Sequence, residues 1–324
     1  MKFTTQVEIP EQKFLIDYAT PTLIVGSCFA QNIGAKLAQM HLPVDINPCG
    51  VAFNPVSIAN TFDLITERLA VNEQSILQNG ELWCSLYHST LFSATERNGL
   101  LDNIESRLAP AKALFKEAKY LIITLGTAWV YRHKASNIIV SNCHKLPEHN
   151  FDRELLSVEQ CVEILSRVFS QSDFTDKQII LTVSPVRHLK DTLHGNNISK
   201  STLLLAVDKL VQNMPNVHYF PAYEIVVDEL RDYRFYAEDL VHPSQMAVDY
   251  IWEKFSAWAF DKATLQVAAE LHKIDSAMAH RPVNPNSEQH RIFRQQMLDK
   301  VVNLQKKYPH INLKLQRNFF NENI

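Results

Sequence analysis

The chain has 324 residues, 46% of them hydrophobic and 21% charged, which is enough apolar mass for a large single core or for a core with an appended lobe. Its formal net charge of -3 argues against a nucleic acid or an anionic membrane surface held by bulk electrostatics. Glycine, with 7 residues, makes up about 2% of the chain against a usual share of about 7%, which argues against flexible linkers and glycine-rich repeats.

The first residues and the cysteines predict a cytoplasmic protein with reduced thiols. Met1–Ile9 alternates polar and apolar residues and lacks the basic start and apolar stretch of a signal peptide, and no run of about 18 apolar residues predicts a membrane span. The five cysteines are odd in number and scattered, and they form no C-x-x-C pair. This pattern fits reduced thiols and gives no sign of a zinc knuckle.

Strands and helices alternate along most of the chain. Short runs of Ile, Leu, Val and aromatic residues predict the strands Thr22–Val25, Tyr120–Leu125, Gln178–Val183 and Val217–Phe220. Helical spacing of apolar residues predicts the helices Phe29–Met40, Pro55–Leu69, Ile104–Ala118, Val158–Phe169, Ser199–Asn213 and Ser244–Phe260. This alternation predicts an α/β domain, residues 1–260, whose parallel sheet is covered by helices on both faces.

A helical extension, residues 261–324, is predicted to follow this domain. Lys262–His280 reads as one helix, and Glu288–Lys307 reads as a final amphipathic helix after a break that contains Pro and Asn. The apolar stripe of the final helix must be covered. It either packs back on the domain or forms a homodimer contact.

The turn after the first predicted strand carries a candidate nucleophile. Parallel sheets bind ligands beyond the carboxyl ends of their strands, and there the chain reads GSCFA, residues 26–30. The free N–H groups at a helix start would stabilise both a thiolate at Cys28 and a developing oxyanion. Alternatively, Ser27 caps the helix and Cys28 is a small buried residue.

Three further segments follow predicted strands or begin predicted helices. The loop of residues 47–55, NPCGVAFNP, could present the N–H of Gly50 to a ligand, and residues 124–129, TLGTAW, place another glycine at a strand end. Residues 236–244, YAEDLVHPS, contain Asp239 three residues before His242. In this spacing the carboxylate can accept the imidazole Nδ1–H and leave Nε2 to take a proton from a nucleophile.

Together these four segments resemble the SGNH/GDSL hydrolase superfamily, and the pentapeptide GSCFA spells the signature of the GSCFA-domain family. The resemblance covers roughly residues 20–260 and implies a three-layer, flavodoxin-like fold. It aligns Cys28 with the superfamily's serine nucleophile, with Ser27 as an alternative if the turn is shifted by one residue. It further implies that His242 is the base, that Asp239 orients it and that Gly50 supplies an oxyanion N–H.

The chain departs from the superfamily at the expected oxyanion asparagine, where it has Ala128. Thr127 or the indole N–H of Trp129 would have to substitute. Residues 184–188, SPVRH, also look like the family, and His188 could face the same pocket. Arg234 either belongs to a salt-bridged surface or holds an anionic group of the substrate.

The segment Trp83–Phe92 has no counterpart in the superfamily but resembles a segment typical of GSCFA proteins. His88 and Ser89 could bind substrate or supply the missing oxyanion donor. The alternative is a surface hairpin with one buried tryptophan.

These features predict a hydrolase or transferase for small-molecule or glycan acyl esters that requires no metal or organic cofactor. A second hypothesis, favoured by Ala128, is a non-catalytic binding protein with a degenerate pocket of the same fold. A third has Cys28, Cys49 and nearby histidines bind a metal ion. The sequence does not name the substrate.

Overall fold

The computed structural model describes residues 4–12 and 14–321. Its strands are β1 Thr22–Gly26, β2 Val44–Ile46, β3 Ile76–Asn79, β4 Leu82–Ser85, β5 Tyr120–Leu125, β6 Trp129–His133, β7 Ile138–Ile139, β8 Phe151–Leu155, β9 Gln178–Val183 and β10 Val217–Tyr219. Its α-helices are α1 Cys28–Gln39, α2 Pro55–Ile65, α3 Arg97–Glu117, α4 Val158–Phe169, α5 Thr192–Asn213, α6 Ala222–Glu224, α7 Gln245–Ala259, α8 Lys262–Ala279, α9 Glu288–Lys307 and α10 Lys314–Asn321. A π-helical segment, Ile225–Leu230, continues α6.

The central sheet is parallel and has the strand order β10-β9-β5-β1-β2. Four of its five strands, β1, β5, β9 and β10, were predicted from the sequence, and the predicted α/β class is confirmed. The second edge strand, β2, was not predicted because it has only three residues, all half-buried. The chain passes from β1 to β2 on one side and then to β5 on the other, which is the doubly wound order that opens a crevice at the carboxyl ends of β1 and β5.

Both faces of this sheet are covered because successive strand residues point to opposite sides. In β1, Leu23 and Val25 join the core beneath α2, α3, α4 and α5, whereas Ile24 joins the core beneath α1, α7 and the C-terminal helices. β5 and β9 repeat this alternation. Strands buried on both faces are continuously apolar, which is why their sequences could be recognised.

Several helices begin or end away from their predicted bounds. α3 begins at Arg97 and α5 at Thr192, earlier than predicted, because their first turns are polar and carry little apolar periodicity. α2 ends at Ile65 instead of Leu69, where the chain turns with Glu67 at a left-handed φ of 60°.

Two antiparallel additions lie outside the predicted alternation. β3 and β4 form a hairpin that contains Trp83, and β6 pairs with both β7 and β8. The segment Trp83–Phe92 is therefore not a hairpin by itself, because only its first residues lie in β4 and their partner strand β3 precedes the segment. Trp83 is only half-buried, while the residues that follow, including Leu86 and His88, are buried.

The C-terminal helices pack on the α1 and α7 side of the sheet. Met297, Val301 and Leu304 of α9 belong to the same buried cluster as Ile24, whereas Ile292 from the predicted stripe is exposed. In the part of the chain that the structure describes, no helix is long and apolar enough to cross a membrane.

Candidate active site

The β1–α1 turn places Cys28 as the first residue of α1, at the carboxyl edge of the sheet. Gly26 has a φ of 151°, which L side chains rarely adopt, and a Cβ there would overlap the backbone of Thr124 on the neighbouring β5. The N–H of Gly26 donates to Oδ1 of Asn47 at 2.8 Å, and the N–H of Ser27 donates to the Thr124 carbonyl at 3.2 Å. The turn is thus fixed from both neighbouring strands.

Cys28, His242 and Asp239 form a continuous chain of contacts. Sγ of Cys28 lies 3.6 Å from Nε2 of His242, and Nδ1 of His242 lies 2.7 Å from Oδ2 of Asp239. In the neutral imidazole, a carboxylate at this distance accepts the Nδ1–H, and Nε2 is then the acceptor that faces the thiol. The arrangement can move a proton from sulfur to imidazole.

The loop that carries Asp239 and His242 is held by its own backbone. Oδ1 of Asp239 accepts the N–H groups of Val241 and His242 at 2.9 and 3.0 Å, and Ala237 N–H donates to the His242 carbonyl at 2.7 Å. These backbone bonds and the imidazole contact lower the pKa of Asp239 to about 2. Asp239 is therefore ionised at neutral pH, although both side chains are about half exposed.

Ser27 does not share this contact. It is buried, and its Oγ has no hydrogen-bond partner among the described residues. Of the two candidate nucleophiles, Cys28 is the one that contacts His242.

Opposing effects act on the thiol of Cys28. Partial burial raises its pKa, while the N–H groups of Cys28 and Phe29 at the helix start and the charge of Lys200 act in the lowering direction. Because burial dominates, the thiol holds its proton at rest and needs a base to become a nucleophile.

The N–H groups of two candidate oxyanion residues, Gly50 and Thr127, are already engaged. Gly50 N–H donates to the Asn47 carbonyl at 2.8 Å, and Thr127 N–H donates to the Phe53 carbonyl at 2.9 Å. The Thr127 hydroxyl lies 3.0 Å from that of Ser199. Neither N–H is free for an oxyanion in this conformation, because each would first have to leave a backbone carbonyl.

Several buried side-chain donors among the described residues lack a partner. They include Nδ2 of Asn47 and the indole Nε1 of Trp129. Asn47 contacts the nucleophile turn by accepting the N–H of Gly26. The sequence contains no sign of this contact beyond the place of Asn47 in a proline-containing loop. The Trp129 ring is stacked by Arg153, whose Cζ lies 4.0 Å from the ring centroid.

His88 and Ser89 pack beside the Gly50 loop and form no hydrogen bond with Cys28 or His242 in the described structure. His88 is fully buried with Nδ1 2.8 Å from Oγ of Ser85, and burial lowers its pKa to about 4, so it is neutral. Ser89 N–H donates to the Cys49 carbonyl at 3.0 Å, and a Cβ on Gly50 would overlap the Ser89 side chain.

His188 lies at the carboxyl edge near His242. Burial, together with the charges of Lys200 and His242, lowers its pKa to about 4. Its ring meets that of Phe53 edge-on, with the two ring centroids 6.1 Å apart. With that pKa the side chain is neutral, and its role in a pocket stays a prediction.

The sequence predictions missed Lys200, which is only 1% exposed. Its Nζ donates to the carbonyl oxygens of Gly126 and Ser184, both at 2.6 Å. These carbonyls directly follow β5 and β9, so Lys200 lies beneath the carboxyl edge. A signal existed in the sequence, because Lys200 continues the buried 3–4 spacing of Leu203 and Val207 on α5.

A groove of about 430 Å³ adjoins the His242 loop, and we call it the Arg187 groove. Its lining combines apolar side chains with two arginines: Arg187, Leu189, Leu193, Val226, Val227, Arg231, Asp232, Tyr233, Tyr236 and Leu240. Arg234 does not line it and instead lies 3.7 Å from Asp232, as the surface interpretation predicted. Within the described residues, no group of three or more His, Cys, Asp or Glu side chains is placed to hold a metal ion.

Comparison with protein families gives two matches. A model described as the GSCFA family matches residues 21–255, and one described as the GSCFA domain protein, C-terminal domain, matches residues 271–324. No curated protein matches the chain.

Proposed function

Because the chain belongs to the GSCFA family, we propose that it is a hydrolase or transferase of acyl esters that uses Cys28, His242 and Asp239. The observation that carries the proposal is the unbroken contact from the thiol through the imidazole to the carboxylate. Such an arrangement activates a nucleophile by a base that a third group orients. The doubly wound strand order, with the nucleophile directly after β1, supports a place in the SGNH/GDSL superfamily.

The reaction begins when Nε2 of His242 takes the thiol proton and Sγ of Cys28 attacks the acyl carbon. The tetrahedral intermediate expels the alcohol oxygen, which receives that proton from His242, and a thioester on Cys28 remains. Water, activated by His242, then attacks the thioester and releases the carboxylic acid and the thiol. An acceptor hydroxyl in place of water gives a transferred ester.

The oxyanion is assigned to the start of α1. The N–H groups of Cys28 and Phe29 already face the sulfur and are preorganised by the helix. Loss of one oxyanion donor costs about 10²- to 10³-fold in rate. Ala128 therefore predicts slow turnover unless another donor, such as Nδ2 of Asn47, contributes.

The Arg187 groove supports an amphiphilic acyl ester as substrate. Leu189, Leu193 and Leu240 offer apolar surface beside the His242 loop, and Arg187 and Arg231 offer charge for an anionic or polar group. Exposed apolar surface of this kind is uncommon outside binding sites. We assign the acyl chain to the apolar part of the groove.

Hydrolysis of a short-chain aryl ester tests the mechanism. We expect Cys28→Ala and His242→Ala to lower kcat/KM by about 10²- to 10⁴-fold, the range of general acid–base and nucleophilic contributions. Ser27→Ala, the matched control one residue away, should stay within about threefold of the wild type. Equal activity of the wild type and His242→Ala would rule out the mechanism.

A binding protein with the same pocket is the second candidate. Ala128 and the engaged N–H groups of Gly50 and Thr127 favour it. Labelling by a thiol-directed acylating probe separates the two, because an unactivated Cys28 reacts no faster than a free thiol.

A further inference from the structure

Lys200 is a buried ammonium-bearing side chain for which the proposed mechanism has no use. It lies on α5, and its Nζ donates to the carbonyls of Gly126 and Ser184, which lie side by side where β5 and β9 end. The two bonds satisfy two of its three N–H groups when it is protonated.

Nothing in the described part of the chain neutralises this charge through an ion pair, since no carboxylate lies within 4.0 Å of Nζ. The charged groups that act on Lys200 are Cys28, whose thiolate favours the ammonium, and Arg187, which opposes it. His188 lies close enough for Lys200 to lower its pKa, and it is neutral. The turn that carries Cys28 and the side chain of Lys200 are held at the same end of β5. Ser27 N–H donates to the Thr124 carbonyl, and Lys200 Nζ donates to the Gly126 carbonyl two residues further on. Cys28 is thus the neighbour that can become an anion, and its thiolate is in turn favoured by Lys200.

We propose that Lys200 is a positioning residue that supplies the buried counter-charge for the Cys28 thiolate, an inference that rests on the proposed function for its catalytic meaning. The thiol proton goes to Nε2 of His242, and Lys200 keeps its own protons and transfers none. Both the charge of Lys200, at the ends of β5 and β9, and the N–H groups at the start of α1 stabilise the thiolate of Cys28. A charge in a low-dielectric interior stabilises a nearby anion far more than it would in water.

The chain contains a matched control for this role. Lys177 is also buried, at 2% exposure, and its Nζ also donates to a backbone carbonyl, that of Ala118 at 2.8 Å. It directly precedes β9, so it lies at the amino edge of the sheet, opposite Cys28. Removing Lys177 removes a buried lysine and a carbonyl bond without touching the site.

The experiment measures the alkylation rate of Cys28 by iodoacetamide as a function of pH, with the modified peptide quantified by mass spectrometry. We expect Lys200→Gln and Lys200→Met to slow alkylation about tenfold at pH 6, where Lys200 of the wild type carries its charge and favours the thiolate. Lys177→Met should leave the rate unchanged. Wild-type alkylation in a Lys200→Gln protein that melts as the wild type does would overturn the inference.

If the Lys200 variants do not fold, the coupling can be measured from the other partner. Lysine labelled with ¹³C at Cε would report the titration of Lys200 in the wild type and in Cys28→Asp, whose carboxylate stands in for the thiolate. The coupling is reciprocal, so an anion at position 28 should raise the pKa of Lys200, and identical titrations would reject the proposal. Neither measurement uses an ester, so a chain without esterase activity could still show the coupling, and the two proposals fail separately.

Discussion

The two buried lysines at opposite edges of the central sheet show how differently one residue type is used. At the amino edge, Lys177 has Asp176 at 3.8 Å and the Phe115 ring at 4.7 Å, so its charge is compensated locally. At the carboxyl edge, Lys200 contacts two carbonyls, and Cys28 is the neighbour that can become an anion. An uncompensated buried charge is costly to retain. The difference fits the proposal that Lys200 serves the chemistry of Cys28, whereas Lys177 serves stability.

The largest effect that would sharpen this comparison is expected at the carboxylates of the two edges. Asp239→Asn should lower kcat about 10³- to 10⁴-fold, because an amide can donate to Nδ1 and favour the wrong imidazole tautomer. Asp176→Asn, at the amino edge, removes an exposed carboxylate paired with Lys119 and should leave kcat within about twofold. Steady-state kinetics on an aryl ester measure both, and comparable losses in the two variants would break the contrast.

An intermediate effect is expected in the pH dependence of stability. Burial lowers the pKa of Lys200 from 10.5 to about 7, so between about pH 7 and 10.5 the unfolded chain binds more protons than the folded one. The contribution of Lys200 to the free energy of unfolding therefore rises with pH in this window, by at most about 1.4 kcal/mol per pH unit.

Urea denaturation of the wild type, Lys200→Met and Lys177→Met at pH 7 and 10 measures this contribution. The rise should be smaller in Lys200→Met than in the wild type. Lys177→Met should keep more of it, because Asp176 opposes the lowering of the Lys177 pKa by burial. A wild type and a Lys200→Met protein that change equally between the two pH values would show that Lys200 keeps an ordinary pKa.

Features that depend on neighbouring residues in the sequence could be predicted from it. β5 and β9 were predicted because strands buried on both faces are continuously apolar, while β2 is too short and too exposed to show a pattern. Asp239 and His242 could be proposed because side chains three residues apart in one turn can reach each other. Features within one short segment can therefore be predicted from that segment alone.

The remaining site features depend on contacts between distant segments. The N–H groups of Gly50 and Thr127 donate to the carbonyls of Asn47 and Phe53 in the folded loops. The direction of a backbone N–H does not follow from the residue type, so it could not be predicted. Lys200 acquires its role because α5 crosses the ends of β5 and β9, and a lysine in an apolar stripe does not reveal which carbonyls it will meet. The resemblance to the family supplied motifs but did not include this lysine.

The smallest effect is expected in the Arg187 groove, which extends the carboxyl edge toward solvent. Leu193→Glu places a carboxylate in its apolar lining and should raise KM about fivefold with little change in kcat, because uniform binding is lost and the reacting groups stay in place. Leu205→Glu is the matched control, since Leu205 is equally exposed on α5 but lies outside the groove. A series of aryl esters of increasing acyl length sharpens the test, because the KM ratio of Leu193→Glu to wild type should grow with each methylene that reaches the groove. A ratio independent of acyl length would place the acyl chain elsewhere and leave the groove to the alcohol part of the substrate.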